Sequence, residues 1–366
     1  MGMTMFGEVH RELSTMPDDI EHKWQAQNDL HKALSRYVNG AISSRGDVLR
    51  ATLSPASVLS RHGREVVQMF HAWQERFALS AGITTNIEVE MYRGKNSHVH
   101  RMREYCERHL KSDIVGAYVH GSLGTYEEIP YSDFDALVIL KTEVLESPER
   151  LVDVAAKLCC AKPIMYGFDP LQHHGWFVLT EDDLSCHCEA YFPLELFRYA
   201  KSLIAGSGRY LSITARDSQR EIDEAHETLT ASVIGAIARG RLPANVYQLK
   251  CLTSEFMLLP ALYAQRKRKA GIFKKFSFEE ARRDFTDDDW RIMDEVSTLR
   301  QEWNYSLQGW QRRIATNGHV LRNYLIWRCA PAIPHHLKAR LSPEFYSRMH
   351  RLAFLMRNRF VEPRSD

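Results

Sequence analysis

The feature that most constrains the fold is a Gly-Ser turn followed by two aspartates one residue apart. The turn is Gly121-Ser122, and the aspartates are Asp133 and Asp135. Each element borders an apolar run that predicts a β-strand. Side chains alternate between the two faces of a strand. The two aspartates are therefore predicted to share one face, while Phe134 between them points toward the core.

The predicted strands are Val115–Val119 and Phe134–Leu140. Two carboxylates on one strand face repel each other unless cations lie between them. Divalent ions that bridge triphosphate oxygens meet this need in phosphoryl-transfer sites. Gly121 allows the backbone to approach a phosphate closely, and the amide and hydroxyl of Ser122 can donate hydrogen bonds to it. The pattern thus indicates a site for phosphate and metal.

The motif resembles the signature of a known superfamily. His-Gly-Ser-Leu-Gly-Thr at 120–125 and Tyr-Ser-Asp-Phe-Asp-Ala-Leu-Val-Ile-Leu at 131–140 are similar to the pattern of the DNA polymerase β-like nucleotidyltransferases. Within this superfamily, the residues of the motif are most similar to those of the minimal and aminoglycoside-type branches. The resemblance is close over about 114–140 and looser to about 203. The alternative is a turn before an ordinary strand with two solvated aspartates, but the apolar continuation of the strand fits that poorly.

The resemblance implies a metal-dependent nucleotidyltransferase. Such an enzyme transfers a nucleoside monophosphate from a Mg²⁺- or Mn²⁺-bound triphosphate to an acceptor hydroxyl and releases pyrophosphate. It implies Asp133 and Asp135 as metal ligands, and Gly121, Ser122 and Thr125 as nucleotide contacts. The acceptor stays open among a small molecule, a tRNA end and a protein side chain. Two further alternatives are a cGAS-like synthase of cyclic oligonucleotides and a non-catalytic nucleotide-binding module.

A third carboxylate is missing where the resemblance would place one. Members of the superfamily usually carry it on a strand after the Asp-x-Asp strand, but the corresponding segment, Gly175–Leu179, has no acid. Asp169 and His174 on the preceding turn are the first candidates for the third ligand or the catalytic base. Glu189 is the second candidate. The ordinary interpretation of the double histidine at 173–174 is a hydrogen-bonded surface turn.

A triphosphate also requires cations from the protein. In related enzymes the helical domain after the sheet closes over the nucleotide, which makes Lys250 and Lys274 the candidates here. The segment 266–275 is strongly basic. Its first part, Arg266–Lys269, is more simply a solvated helix end, favourable against the helix dipole. Binding of RNA phosphates by this patch is a further possibility.

The predicted class is α+β, with a small mixed β-sheet between helical regions. We expect an N-terminal helical region at 1–110, a nucleotidyltransferase catalytic core at 111–205 and a C-terminal helical bundle at 206–366. The predicted elements after the aspartates are a helix from Ser147 to Cys160, strands Pro163–Phe168, Gly175–Leu179 and Ser185–Phe192, and then helices alone. Tryptophans 290, 303, 310 and 327 are predicted to lie in the bundle core.

Net charge, the lengths of the apolar runs and the cysteine content restrict the class of protein further. The net charge of +2 over 366 residues excludes nucleic-acid binding driven by overall charge. The absence of a long apolar run or a signal-like N-terminus predicts a soluble, cytoplasmic protein without a membrane partner. Seven cysteines are then expected to be reduced thiols. Zinc at Cys186-His187-Cys188 is disfavoured, because structural zinc sites space their cysteines more widely.

Overall fold

The computed structural model describes residues 20–40, 55–76, 82–319 and 321–360. Its first half contains α1 (Ile20–Val38), α2 (Pro55–Arg76), β1 (Ile83–Glu88), α3 (Ser97–His109), β2 (Ile114–Val119), α4 (Gly121–Thr125), β3 (Ala136–Leu140), α5 (Pro148–Phe168), β4 (Phe177–Thr180), α6 (Leu194–Tyr199), β5 (Lys201–Ser202) and β6 (Tyr210–Ala215). The mixture of helices with small sheets agrees with the predicted α+β class.

The remainder is helical. It contains α7 (Gln219–Ala238), α8 (Val246–Phe256), α9 (Leu259–Arg268), α10 (Lys274–Arg282), α11 (Asp287–Gln301), α12 (Gly309–Ala315), α13 (Arg322–Cys329), α14 (His335–Lys338) and α15 (Pro343–Asn358). None of the helices in the described ranges is both long and apolar enough to cross a bilayer. All seven cysteines are free, as predicted.

The main sheet has the strand order β4-β3-β2-β5. β2 is antiparallel to β3 and β5, whereas β4 runs parallel to β3. Val119 lies opposite Ala136, so the end of β2 is beside the start of β3. This pairing brings the Gly121 turn and the two aspartates to the same edge of the sheet.

Helices cover one face of the sheet. Phe134, Val138 and Leu140 belong to the same buried cluster as residues of α1, α2, α3 and α5. Leu137 and Ile139 point to the opposite face, where they pack with residues of β1, β6 and α6. A strand buried on both faces is expected to be apolar throughout, and β3 is fully buried.

The structure corrects the prediction of a strand at Pro163–Phe168. This segment is the end of α5, which continues through Pro163. Proline removes one helical hydrogen bond, but Leu158, Met165 and Tyr166 bury this helix against the core, and tertiary packing supplies most helix stability. α5 therefore forms the crossover between the parallel strands β3 and β4, which a short hairpin cannot join.

The predicted strand at Ser185–Phe192 is also wrong. A 3₁₀ turn at Asp182–Ser185 occupies its start, and only His187 bridges to β6. The buried carboxylate of Asp183 causes the turn: it accepts hydrogen bonds from the backbone N–H and hydroxyl of Thr180, and His31 Nε2 lies 2.8 Å away. β1 was not predicted. The start of the predicted N-terminal helical region at 1–110 lies outside the described residues, which begin at Ile20.

In the C-terminal region, where helices alone are predicted, the segments 245–269 and 309–329 each form two helices. The first breaks at Met257–Leu258, because Pro260 tolerates only the first turn of a helix. Trp290 and Trp303 are buried, each 2% exposed, as predicted. The prediction is wrong for Trp310 and Trp327, which are 51% and 46% exposed.

Candidate functional site

The two aspartates occupy an extended segment directly before β3. Phe134 between them is fully buried on the helix-covered face, so the predicted alternation is confirmed. The Phe134 N–H donates to Gln172 Oε1 at 2.8 Å, and the Phe134 carbonyl accepts from Gln172 Nε2 at 3.1 Å. The His120 N–H donates to the Asp135 carbonyl at 3.1 Å. These bonds fix the backbone that presents both carboxylates.

The Gly121 turn lies against the second aspartate. Gly121 has a φ of +59°, and a Cβ added there would come within 2.3 Å of Asp135 Oδ2. Glycine is required both by the left-handed backbone and by this close approach. Ser122 is partly exposed in the first turn of α4. The Thr125 hydroxyl lies 3.3 Å from the Gly121 carbonyl oxygen and 3.2 Å from Glu127 Oε2, so it is engaged within its own turn and the residues just after it.

Lys250 of α8 reaches into the site although it is fully buried. Its Nζ lies 3.1 Å from Asp133 Oδ1, 2.7 Å from Asp169 Oδ2 and 2.8 Å from the Tyr131 carbonyl oxygen. Burial opposes the ammonium charge, but Asp133 and Asp169 outweigh it and raise the pKa of Lys250. Burial also disfavours ionised Asp133, yet Lys250 and the two histidines at 173–174 lower the pKa of that carboxyl.

Asp169 faces Lys250 rather than an open cleft. Its Oδ1 accepts the Leu171 N–H at 3.0 Å, and its Oδ2 contacts the ammonium. Burial, reinforced by Asp133, raises the pKa of Asp169 to about 6 even though Lys250 opposes the shift. The carboxyl is therefore mostly ionised at neutral pH and protonated in mild acid.

The double histidine faces the aspartates. His174 Nε2 lies 3.3 Å from Asp135 Oδ1, and His173 Nδ1 lies 3.7 Å from Asp133 Oδ1. Burial disfavours charge on His174, but the hydrogen bond to Asp135 and both carboxylates raise its pKa to about 9. Burial dominates for His173 and lowers its pKa to about 4. At pH 7 the pair thus holds one imidazolium and one neutral imidazole.

Lys274, at the start of α10, is the second predicted lysine. Burial and Arg300 lower its pKa to about 8, and Asp135 and Asp133 act in the opposite direction. Its ammonium is therefore close enough to feel both carboxylates. Within the described residues it has no carboxylate within 4.0 Å. Lys274 is a partly exposed cation at the edge of the site.

Other predicted residues are engaged elsewhere. Glu189 accepts the backbone N–H groups of Gly271 and of Leu194, the latter at 3.3 Å. Its carboxylate thus ties two loops together. The basic end of α9 is paired with acids: Arg266 with Glu227 at 2.6 Å, Lys267 with Asp284 at 2.6 Å and Arg268 with Glu280 at 3.2 Å. The prediction of a solvated helix end fits these pairs better than phosphate binding does.

Sequence analysis missed His120, Tyr131 and Gln172. His120 is buried between Phe177 and Phe192, and burial lowers its pKa to about 4. The Tyr131 carbonyl holds Lys250, and Gln172 fixes Phe134, as described above. The signal for His120 was its place directly before Gly121. Nothing local to the sequence marks Gln172, because its partner is 38 residues away.

The aspartate pair offers hard oxygen ligands of the kind that magnesium binds. Asp133 Oδ1 is buried and accepts no hydrogen bond of good geometry from a described residue, although Lys250 and His173 are nearby. Carboxylate oxygens are hard ligands, and Mg²⁺ usually binds one or two of them together with substrate phosphates. Across the described ranges, no group of three or more His, Cys, Asp or Glu side chains is arranged to hold a metal.

Comparison with known proteins adds nothing to this geometry. No protein-family model matches the chain, and neither a curated protein nor a solved structure matches it. Function is therefore inferred from the residues of the site themselves.

Gly121→Ala is expected to disturb the site. The left-handed φ costs an L-residue about 1–2 kcal/mol, and the new Cβ must displace the Asp135 carboxylate. We expect a lower free energy of unfolding in urea and a shifted Asp135 environment by NMR. Gly309→Ala is the matched control, since its added Cβ meets no heavy atom within 4 Å. Equal stability of both variants with the parent would contradict the assigned close approach.

Lys250→Met is expected to destabilise the protein in a pH-dependent manner. Removing one partner of a buried ion pair costs about 3–5 kcal/mol, here because Asp133 and Asp169 lose their shared cation. Without that cation the pKa values of both carboxyls rise above their unfolded values, so the variant gains stability as pH falls from 7 toward 4. The loss measured by urea unfolding should be larger at pH 7 than at pH 5.

Lys275→Met provides the control for that measurement. Lys275 is exposed and its Nζ pairs with the exposed carboxylate of Glu127. Exposed pairs contribute about 0–1 kcal/mol, so this variant should lose little stability at either pH. A pH-independent loss in Lys250→Met would show that packing, rather than charge, determines the effect.

Proposed function

We propose that the protein is a metal-dependent nucleotidyltransferase that transfers a nucleoside monophosphate from a triphosphate to an acceptor hydroxyl and releases pyrophosphate. One observation carries the proposal. The Asp133–Asp135 pair and the Gly121 turn meet at one edge of the sheet, and Lys274 is close enough for both carboxylates to raise its pKa. Paired carboxylates beside a glycine turn and a poised lysine suit a triphosphate better than any neutral ligand.

Asp133 and Asp135 are the residues that would hold Mg²⁺ or Mn²⁺, which would supply neutralisation of phosphate charge and polarisation of the reacting phosphorus. The chain's own groups supply the rest. Gly121 would let the backbone approach a phosphate, and the Ser122 amide and hydroxyl would donate to it. Lys274 adds a positive charge. Its lowered pKa leaves part of its amine deprotonated near neutral pH. Positioning and charge neutralisation carry most of the rate in such transfers.

The acceptor's proton requires a base near the aspartates. Asp169 is committed to Lys250 through a 2.7 Å contact, so we assign it to holding that lysine. His174 is charged at neutral pH and bound to Asp135, which suits it to orienting that carboxylate. His173 is neutral at the same pH and its Nδ1 lies 3.7 Å from Asp133 Oδ1, but its pKa of about 4 makes it a weak base unless a bound substrate changes its surroundings.

A second candidate is a nucleotide-binding module without catalysis. The Lys250–Asp133 contact of 3.1 Å favours it, because an internal cation already neutralises one of the two carboxylates. Such a module would bind a triphosphate and release no pyrophosphate. For either candidate, the free thiols and the need for nucleotide fit a cytoplasmic location.

Pyrophosphate release decides between the candidates. We would incubate each of the four radiolabelled nucleoside triphosphates with Mg²⁺ or Mn²⁺ and a cell lysate as the source of acceptor. Asp133→Asn/Asp135→Asn should lower release about 10²–10³-fold or more, the usual effect of removing transition-state electrostatics. Asp288→Asn/Asp294→Asn removes two exposed carboxylates of α11 and should leave release unchanged. Nucleotide binding without release in the parent would favour the module.

The pH dependence of kcat/KM tests Lys274. Its pKa of about 8 means that the free protein loses this positive charge as pH rises through that value. We expect kcat/KM for the triphosphate to fall above pH 8. Lys274→Arg keeps its charge at every accessible pH and should remove the fall, while Lys274→Met should lower kcat/KM at pH 7. Parallel profiles for the parent and Lys274→Arg would exclude this role.

A further inference from the structure

A surface of the bundle exposes aromatic and basic side chains together. We call it the aromatic–basic surface; it comprises Trp310, Arg312 and Arg313 of α12 and Tyr324, Trp327 and Arg328 of α13, all of which are exposed. Nearly half of each tryptophan's and of the tyrosine's area is open to solvent. Exposed aromatic side chains of this size usually mark a binding surface when they cluster.

Contacts between the two helices hold these residues together. Gln311 Nε2 donates to the Cys329 carbonyl at 2.9 Å, which brings the neighbours Trp310 and Arg328 to the same end of the pair. On α13, Tyr324 and Trp327 are three residues apart and so share a face of the helix. The Arg328 guanidinium lies over the Tyr324 ring at 4.9 Å. Aromatic planes and guanidinium planes are thus presented side by side.

The Asp, Glu, Lys and Arg side chains of this region are all of one sign, positive. From Trp303 to Pro343 the chain contains no Asp or Glu but six Lys and Arg, in a protein whose net charge is only +2. Among residues of the described ranges, no carboxylate lies within 4.0 Å of the guanidinium groups of Arg312, Arg313 or Arg328. The two arginines and the lysine at the end of α9, Arg266, Arg268 and Lys267, are by contrast all paired. Three arginines without a carboxylate partner in the described structure thus lie beside exposed aromatic rings.

The same region is joined to the candidate site. Buried Arg322 of α13 donates from Nη2 to the Pro170 carbonyl at 2.5 Å and from Nη1 to the Gln172 carbonyl, on the turn that carries Asp169 and His174. A surface cavity of about 210 Å³ is lined by Arg312 together with Pro130 and Pro170, which adjoin Tyr131 and Asp169. The aromatic–basic surface therefore adjoins, through Arg312 and Arg322, the loops that carry Tyr131 and Asp169.

We propose that the aromatic–basic surface binds single-stranded RNA and that RNA is the acceptor class of the transfer reaction. Bases stack on aromatic rings and phosphates pair with arginine, a combination typical of single-strand binding. A protein partner would need acidic and apolar groups in a fixed pattern. The aromatic rings and guanidinium groups of this surface instead match the repeating bases and phosphates of a nucleic acid. RNA offers the unpaired bases that stacking requires in its loops and ends. The part concerning the acceptor rests on the proposed function; the binding part does not.

Binding is tested by fluorescence anisotropy with the full chain, in EDTA and without nucleotide, so that no transfer can occur. The probe is a fluorescein-labelled single-stranded RNA of mixed sequence, about 16 nucleotides long. Trp310→Ala/Trp327→Ala and, separately, Tyr324→Ala should weaken binding about 5- to 150-fold for each stacked base lost. Arg312→Gln/Arg313→Gln/Arg328→Gln should weaken binding and reduce the log–log salt slope by about 0.7 for each phosphate contact removed.

Matched controls carry the same chemical changes elsewhere. Phe354→Ala removes an exposed aromatic residue of α15, and Arg283→Gln/Arg291→Gln/Arg351→Gln removes three exposed arginines that are paired with acids. Circular dichroism and melting temperature establish that each variant folds. Equal weakening by the controls, or no weakening by folded surface variants, would overturn the proposal.

Competitors identify the partner class. Unlabelled single-stranded RNA should displace the probe, and duplex RNA, single-stranded DNA and polyglutamate should do so at least tenfold less well. Equal competition by single-stranded DNA would overturn the choice of RNA, and equal competition by polyglutamate would indicate an acidic protein partner instead. The two proposals fail separately: RNA binding without pyrophosphate release contradicts the transfer reaction, whereas label transferred to a small molecule or protein without RNA binding contradicts the assigned acceptor.

Discussion

The arrangement depends most on the buried ammonium of Lys250. This one group contacts a carboxylate before β3, a carboxylate at the end of α5 and the backbone carbonyl of Tyr131, two residues before the first carboxylate. It belongs to α8, so it also joins the helical bundle to the sheet. A charge in such a position is costly unless every partner is in place. The loop that presents the aspartates is therefore held by the same contact that positions the bundle.

This contact has a consequence for the chemistry of the site. Asp133 contacts the buried ammonium of Lys250, and in the proposed function it also binds a metal ion. Its lowered pKa keeps it ionised under all ordinary conditions, so it is ready as a ligand without a change of protonation. Asp135 differs, because its neutralising partner is His174, whose proton can leave. The two carboxylates of one motif are thus balanced by different means, one permanent and one titratable.

Local sequence was sufficient for the elements that define the site's edge. β2, β3, the inward Phe134 and the start of α5 at Ser147–Pro148 all follow from period, capping and turn chemistry. Sequence was insufficient where distant residues decide the outcome. Pro163 lies inside a helix because tertiary burial outweighs its local cost, and Gln172 fixes Phe134 across a long sequence separation. Sequence analysis names His174 as a candidate and not His173, and only the fold shows that His174 is charged and His173 neutral.

The same distinction governs the interpretation of charge and aromaticity. The basic run at 266–269 is the most conspicuous in the sequence, yet folding pairs Arg266, Lys267 and Arg268 with acids brought from other helices. The tryptophans at 310 and 327 suggested a core, yet they are exposed beside arginines that have no carboxylate nearby in the described structure. Pairing and burial are long-range properties, because the partner that neutralises a charge or covers a ring is set by packing and not by neighbours in the chain. A binding surface is therefore better identified by the charges that remain unpaired after folding than by the density of charge along the sequence. By that criterion a polyanion should bind to the α12–α13 pair rather than to the end of α9.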